Sequence, residues 1–219
     1  MLVPRALVVR ACVACGLFAA AVAGWGLATS RAEDGGTPNI TRVEEDWELV
    51  VSEPDVHDNS PQLSCVTSPL GDLSGLYAVL ELNHRTQTSY VRGGLQLQIW
   101  NGPDQLVSTK TSYDNDYLSH AGETIRWTQS LKVSDGTLTF DVFNGTSQSW
   151  GNFGASSDLR RTVSTTLTNL NAYSSDVSVQ NSGVGYGGNR VTSLVLKTVR
   201  KYAGDQLVQT DSVAKVVHE

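Results

Sequence analysis

Short segments in which apolar and polar residues alternate one by one, and which end at turn-forming dipeptides, constrain the fold of this chain more than any other feature. The segment LQLQIW at 95–100 places leucine or isoleucine at every second position, and Asn101-Gly102 follows it. Successive side chains of a strand point to opposite faces, so this alternation predicts a half-buried strand. Asn-Gly and Asp-Gly pairs favour hairpin turns because their backbones tolerate positive φ.

The same pattern recurs along the chain and predicts an all-β fold. LTFDVF at 138–143 alternates in the same way, and the flanking pairs Asp135-Gly136 and Asn144-Gly145 are predicted as turns. The segment 159–170 spaces its apolar residues as on one helical face, but its serine and threonine content favours a strand. Further strands are predicted at 47–51, 76–84, 124–133, 190–202 and 207–217. Seven or more short strands separated by turns indicate an antiparallel β-sandwich.

The first 32 residues have a different character and predict export. Arg5 and Arg10 precede ACVACGLFAAAVAGWGLA at 11–28, an apolar run without charge, and Ser30 and Ala32 are small residues at the −3 and −1 positions of a cleavage site. This is the pattern of a signal peptide, here an N-terminal signal helix over 1–32. The alternative is a retained single-span anchor. We therefore predict a secreted, periplasmic or cell-surface protein with no membrane span after signal removal.

The remainder divides into a polar tether at 33–46 and one domain at 47–219. The formal net charge is −6, and loss of the three arginines of the signal leaves 13 basic against 22 acidic residues, a net charge of −9. No cluster of lysine and arginine offers a phosphate-binding stripe, so we expect no nucleic-acid partner. Cys65 would then be the one remaining cysteine, so stability must come from a hydrophobic core rather than from a disulfide.

Polar residues share one face of two predicted strands. Glu81 and Asn83 lie on one strand, and Gln96, Gln98 and Trp100 lie on the next. The amides and the carboxylate suit hydrogen bonds to sugar hydroxyls, and the indole suits stacking on a pyranose ring. The alternative and simpler interpretation is a solvated outer face that binds no ligand.

An aromatic residue in the loop at 145–154 is a second candidate. Trp150 lies among serine, threonine and glycine residues, where an indole can stack on a sugar at the rim of a site. It can equally plug one end of the sandwich, and Gly151 and Gly154 favour that interpretation because they suggest tight packing. Trp127 is predicted to lie in the core.

Oxygen ligands are concentrated at 113–117. Asp114, Asn115 and Asp116 supply carboxylate and amide oxygens of the kind that calcium prefers, so calcium is the cofactor that this segment would suit. The segment lacks the glycine and the distant glutamate of an EF-hand loop. A solvated acidic turn is the favoured interpretation.

Two stretches carry a resemblance to a known family. GETIRWTQSLKVSDGTLTFDVFNGTSQSWGNFG at 122–154 resembles the central strands of the concanavalin A-like lectin/glucanase superfamily, which includes laminin-G-like domains. NRVTSLVLKTVRKY at 189–202 is similar to the last core strand of that jelly roll. The resemblance implies two curved antiparallel sheets whose concave face often binds glycans, although a fold alone does not define a function.

The catalytic branches of this superfamily are not matched. Laminarinase-type glucanases carry E-x-D-x-x-E on one strand, whereas here Glu44-Glu45-Asp46 falls in the predicted tether and Glu48 and Glu53 lack the spacing. Alginate lyase-type members carry Q-I-H, but Gln98-Ile99-Trp100 has tryptophan in place of the histidine. Neither a two-carboxylate nor a lyase mechanism is therefore supported.

We accordingly predict a non-catalytic, lectin-like module that binds a carbohydrate polymer outside the cell or in its envelope. Trp150 is predicted as a rim contact. The alternatives are a diverged glycan-processing hydrolase or lyase, for which Glu81 is the suitable carboxylate, and a structural envelope protein. The predicted ligand-binding residues are Glu81, Asn83, Gln96, Gln98, Trp100 and Trp150.

Overall fold

The computed structural model describes residues 36–52, 61–83, 94–109, 120–186 and 190–219. The predicted signal peptide at 1–32 and the predicted calcium ligands Asp114, Asn115 and Asp116 lie outside these ranges. The described residues contain thirteen strands, β1 to β13, one α-helix, α1, and a short 3-10 turn at Ser157–Leu159. Residues Thr37–Glu219 form one compact unit.

The first sheet has eight strands, and its neighbouring strands run antiparallel. Strands β12, β11, β1, β6 and β7 lie side by side in that order, β13 also pairs with β11, and β8 and β9 both pair with β7. The strands of this sheet are β1 (Arg42–Val51), β6 (Thr124–Ser134), β7 (Thr137–Ser147), β8 (Gly151–Phe153), β9 (Arg160–Ser164), β11 (Val191–Ala203), β12 (Gln206–Asp211) and β13 (Lys215–His218).

The second sheet has five antiparallel strands in the order β10, β2, β3, β4, β5. Its strands are β2 (Gln62–Thr67), β3 (Leu76–Leu82), β4 (Leu95–Asn101), β5 (Asp104–Ser108) and β10 (Gly183–Tyr186). Inward-facing residues of both sheets form a single core cluster, in which Leu49 and Leu131 of the first sheet join Leu80 and Leu97 of the second. The prediction of an antiparallel β-sandwich is therefore confirmed.

Two tryptophans occupy the centre of the first sheet. Trp47 and Trp127 are directly opposite each other on β1 and β6, and their rings stack with centroids 6.4 Å apart and planes 7° apart. Trp47 is 1% exposed and Trp127 is 5% exposed. The prediction that Trp127 is a core residue is confirmed, and large aromatic rings at this position bury much apolar area.

The predicted turns divide into hairpins and a bulge. Asp135 and Gly136 have φ of 48° and 73° and join β6 to β7 as a two-residue hairpin. Asn144-Gly145 was also predicted as a turn, and that prediction is wrong, because β7 continues to Ser147. Asn144 has φ of 54°, and β7 gains one residue on β6 between Phe143 and Thr146, so the pair forms a β-bulge.

The boundaries of two predicted segments also change. Strand β1 begins at Arg42, so residues 42–46 are sheet rather than tether, and Glu44-Glu45-Asp46 lies in a strand. In the segment 159–170, strand covers Arg160–Ser164 alone. Helix α1 (Ser175–Asn181) was not predicted, although Ser174 accepts a hydrogen bond from the Asp176 backbone N–H in the manner of a helix N-cap.

Candidate functional site

Five of the six predicted ligand-binding residues do lie on one face of the second sheet. Strand pairing places Glu81 opposite Gln96 on β3 and β4. Asn83 Nδ2 donates to Gln96 Oε1 (3.2 Å), Gln98 Nε2 donates to Glu81 Oε2 (2.9 Å), and Trp100 Nε1 donates to Gln98 Oε1 (2.9 Å). These five residues therefore bind one another, on the face turned away from the core.

This face is closed rather than open to water at its centre. Asn83, Gln96 and Gln98 are 0%, 1% and 2% exposed, and only Glu81 and Trp100 are half-buried. The three amides are therefore not exposed to a ligand in this arrangement, and their role in binding stays a prediction. Buried amides need internal hydrogen-bond partners. Gln96 and Gln98 have them on neighbouring strands, whereas Asn83 Oδ1 has no partner among the described residues. Burial raises the pKa of Glu81.

Trp150 does not stand at a rim. It is 8% exposed, belongs to the core cluster and meets Phe153 edge to face with ring centroids 5.8 Å apart. Glu123 holds the adjacent loop, since its Oε1 accepts from the Ser149 backbone N–H at 3.0 Å. Trp150 is thus the plug that was the alternative interpretation, and it presents no indole face to a sugar.

A buried carboxylate links the two sheets. Glu45 is 1% exposed and accepts hydrogen bonds from Trp47 Nε1 (3.0 Å), Tyr173 Oη (2.7 Å) and Ser178 Oγ (2.5 Å). Desolvation by burial raises the pKa of Glu45, and the hydrogen bonds oppose that shift. The carboxylate is sealed from solvent, so it serves the core rather than a ligand.

Cys65 is the free cysteine of the described residues and is not a reactive one. It is 1% exposed on β2. Burial raises the pKa of its thiol, and the negative charge of Glu45 raises it further. A thiol that is buried and protonated is a poor nucleophile.

The outward face of the first sheet carries rows of opposite charges. Along β1, Glu44, Asp46 and Glu48 alternate with inward residues and point outward. Arg200 Nε lies 3.1 Å from Glu44 Oε2, and its Nη2 donates to Asp46 Oδ1 at 2.8 Å. Glu48 receives Arg126 Nη2 at 2.7 Å and Lys197 Nζ at 3.3 Å. All three carboxylates are therefore paired with cations.

These ion pairs determine which chemistry the row of carboxylates can perform. Desolvation acts to raise the pKa of Glu48, but the hydrogen bonds and charges of Arg126 and Lys197 outweigh it and lower that pKa. A glycosidase needs one carboxyl that is protonated near neutral pH to act as its general acid. Glu48 is held ionised instead. The run Glu44-x-Asp46-x-Glu48 therefore has the alternation of a carboxylate row but no proton donor at Glu48.

An open groove crosses the same face. It has a volume of about 610 Å³ and spans the neighbouring strands β1, β6, β7 and β9. Most of its lining side chains can donate or accept hydrogen bonds. They are Arg42, Glu44, Ser130, Lys132, Thr139, Asp141, Phe143, Asn144, Ala155, Arg160 and Thr162. We call this feature the cross-strand groove.

The cross-strand groove retains unused hydrogen-bonding capacity. Asp141 pairs with Arg160 through Oδ2 at 2.5 Å, yet its buried Oδ1 has no hydrogen-bond partner within the described part of the chain. Arg42 Nε lies 3.3 Å from Glu44 Oε1 without acceptable hydrogen-bond geometry, and it too is unpartnered. Both atoms are themselves buried, so a ligand in the groove would reach the exposed parts of these side chains rather than these two atoms.

A second open groove is less polar. It has a volume of about 500 Å³ beside the hairpin of β4 and β5, and Leu70, Leu76, Leu106 and Leu167 contribute to its lining. None of the described residues that line it is charged. The cross-strand groove is therefore the better candidate for a hydrophilic ligand.

The sequence contained part of the signal for the cross-strand groove. Asp141 and Phe143 were recognised as the outward residues of an alternating strand, but Arg42 and Glu44 were assigned to a tether. Reading the period-two alternation of RVEEDWELVV at 42–51 would have placed both on one outward face.

Comparison with protein-family models, with curated proteins and with solved structures finds no match for this chain. Within the described ranges, no group of three or more histidine, cysteine, aspartate or glutamate side chains is arranged to hold a metal ion. Among the described residues, no helix has both the length and the apolar character that a bilayer span requires. The site is therefore interpreted from its own geometry.

Proposed function

We propose that this chain is a non-catalytic, carbohydrate-binding module that acts outside the cell or in its envelope, and that the cross-strand groove is its binding site. The observation that carries the proposal is the groove itself, in which charged, amide and hydroxyl side chains from four neighbouring strands line one open surface. Lys132 is exposed there and has no hydrogen bond or ion pair with any described residue. The predicted export and the resemblance to concanavalin A-like domains agree with this function.

The residue types of the groove suit sugar hydroxyls. Each hydroxyl both donates and accepts, so a carboxylate such as Asp141 and a guanidinium such as Arg160 can serve the same sugar. Phe143 is half-buried on β7 and adds a ring against which a pyranose can pack. Polar groups fixed on strands lose little conformational freedom when they bind a ligand.

Binding is favoured over catalysis by the state of the carboxylates. The alternative, a diverged glycan-processing enzyme, needs one carboxyl that donates a proton and a second that stays ionised. In the cross-strand groove Asp141 is paired with Arg160, and Glu44 accepts from Arg200 Nε and Tyr202 Oη. Both carboxylates are thus held by fixed partners on neighbouring strands, which suits the positioning of a ligand.

A glycan array probed with the full chain tests this function. We expect binding to at least one class of polysaccharide, and loss of that binding in Asp141→Ala, which removes a carboxylate of the groove together with its partly exposed ion pair to Arg160. Asp104→Ala is the matched control, because Asp104 is exposed on β5 of the other sheet. A blank array, or equal loss in both variants, would contradict the proposal.

A further inference from the structure

Two like charges face each other across the cross-strand groove. Arg42 on β1 and Lys132 on β6 are directly opposite in the strand register. Like charges at such positions destabilise a sheet. An arrangement of this kind is relieved when an anion lies between the two cations.

Counter-charges within the chain compensate these two cations unequally. Arg42 lies 4.0 Å above the Tyr202 ring, 3.3 Å from Glu44 and 3.6 Å from the fully exposed Asp205. Lys132 is exposed and has no hydrogen bond or ion pair with any residue that the structure describes. The cationic charge at this end of the groove is therefore only partly neutralised.

The lining as a whole is cationic although the protein is acidic. Its charged lining side chains are three cations, Arg42, Lys132 and Arg160, and two anions, Glu44 and Asp141. The lining therefore carries one net positive charge. Glu44 is shared further with Arg200 Nε at 3.1 Å. A net charge of −6 for the chain would repel an acidic polymer elsewhere, so this groove is a locally favourable place for one.

We infer that the cross-strand groove is specific for an acidic polysaccharide, with the carboxylate of a uronic acid residue bound between Arg42 and Lys132. This inference rests on the proposed carbohydrate-binding function and names its substrate class. Thr139 and Thr162 continue the same row on β7 and β9 with their hydroxyls 2.9 Å apart, so one of the two hydroxyls remains free to donate to the polymer beyond Lys132.

The remaining sugar atoms meet the other end of the groove. Asp141 lies one diagonal position from Lys132, because Lys132 pairs with Thr139 two residues earlier on β7. Diagonal neighbours in a sheet are about 7–8 Å apart. The anionic and neutral parts of one polymer therefore reach Lys132 and Asp141 together.

The experiment compares polygalacturonate and alginate with the same polymers after chemical reduction of their carboxylates to alcohols, using the full chain in affinity electrophoresis. We expect binding to a native polyuronate, weaker binding to its reduced form, and loss of affinity as ionic strength rises. Lys132→Gln should weaken the uronate complex about tenfold, the size expected when one charge-assisted contact is removed.

Lys197→Gln is the matched control. Lys197 lies on the same face of the same sheet but pairs with Glu48 outside the groove, and its loss changes the net charge equally. Affinity for the polyuronate should be unchanged in this variant.

Three outcomes would overturn the inference, and they separate it from the proposed function. Equal binding of native and reduced polymers would leave a carbohydrate-binding module without uronate specificity. Preference for dextran sulfate over both polyuronates would assign the cations to sulfate esters. Absence of binding to every polysaccharide, charged or neutral, would remove the proposed function as well.

Discussion

At the scale of single residues, Gln98 of the second sheet shows how a buried amide is satisfied by neighbouring side chains. Gln98 is central, because its Oε1 accepts from both Trp100 Nε1 (2.9 Å) and Gln105 Nε2 (3.0 Å) while its Nε2 donates to Glu81. Tyr77 stacks on Trp100 with ring centroids 6.4 Å apart. The network therefore fixes the side chains of three neighbouring strands.

The substitution Gln98→Met should lower the free energy of unfolding by about 2 kcal/mol, because it keeps most of the volume but removes three hydrogen bonds of the network, to Glu81, Trp100 and Gln105. The measurement is urea denaturation. Gln105→Met is the control, since Gln105 is exposed and its loss should cost less than about 0.5 kcal/mol. Equal stability of the Gln98 variant and the unchanged protein would mean that the network contributes little.

At the scale of elements, the bulge in β7 decides where the following residues point. Asn144 adopts φ of 54°, and after the bulge Gly145 lies directly opposite Phe153 of β8. A Cβ at position 145 would come within 2.3 Å of the Phe153 ring. Position 145 therefore requires glycine because the Phe153 ring approaches its Cα so closely. The backbone conformation is not the reason, since the φ of Gly145 lies outside the left-handed region.

Gly145→Ala should destabilise the protein by about 1–3 kcal/mol, the usual cost of overpacking a core. Thermal or urea unfolding measures the change. Gly183→Ala provides the comparison, because an added Cβ there meets no atom within 4 Å.

A double-variant cycle tests the cause of the Gly145 penalty. If the ring of Phe153 is the obstacle, Gly145→Ala should cost little in a Phe153→Ala background. A penalty of the same size in both backgrounds would instead point to the backbone of the bulge.

At the scale of the whole molecule, Glu45 adds hydrogen bonds to the apolar contacts that hold the first sheet against the segment containing α1. It lies on β1 of the first sheet, and its partners Tyr173 and Ser178 belong to the segment that leads through α1 to β10 of the second sheet. Hydrogen bonds to a buried charge are directional, so they fix one arrangement of these parts.

The stability of the protein should fall as pH rises through the titration range of Glu45. Its folded-state pKa is raised above the ordinary value of 4.5 by desolvation, so the native state binds the proton more tightly than the unfolded state does. The stabilising contribution is complete below pH 4.5 and is lost as pH passes the folded-state pKa. Each unit of difference corresponds to about 1.4 kcal/mol.

Glu45→Gln isolates this contribution from that of the other carboxylates. The free energy of unfolding of the unchanged protein, minus that of the variant, should decrease from pH 4 to pH 8. Glu219→Gln, which removes a carboxylate at an exposed position, is the matched control. A pH-independent difference for Glu45→Gln would contradict the role of desolvation.

Local sequence patterns predicted much of the fold and little of the site. Alternation placed Leu97 and Phe140 correctly in the core, and the Asp135-Gly136 hairpin formed as predicted. Strands β2, β5, β8 and β10 were not predicted, and β9 covers only the first part of the strand predicted at 159–170. The candidate site lies on the other sheet from the one predicted. Arg42 and Glu44 were missed because the first half of their strand contains mainly charged residues and was therefore taken for a tether.

The sequence by itself determined that the chain forms a two-layer antiparallel structure, because a period of two and turn dipeptides are local properties that neighbouring residues express wherever they lie. Only the tertiary structure decided that Gln96 and Gln98 are buried while Lys132 is exposed. Alternation shows that the two faces of a strand differ. Whether a polar face meets water depends on what packs over it, which is a contact between residues far apart in the chain.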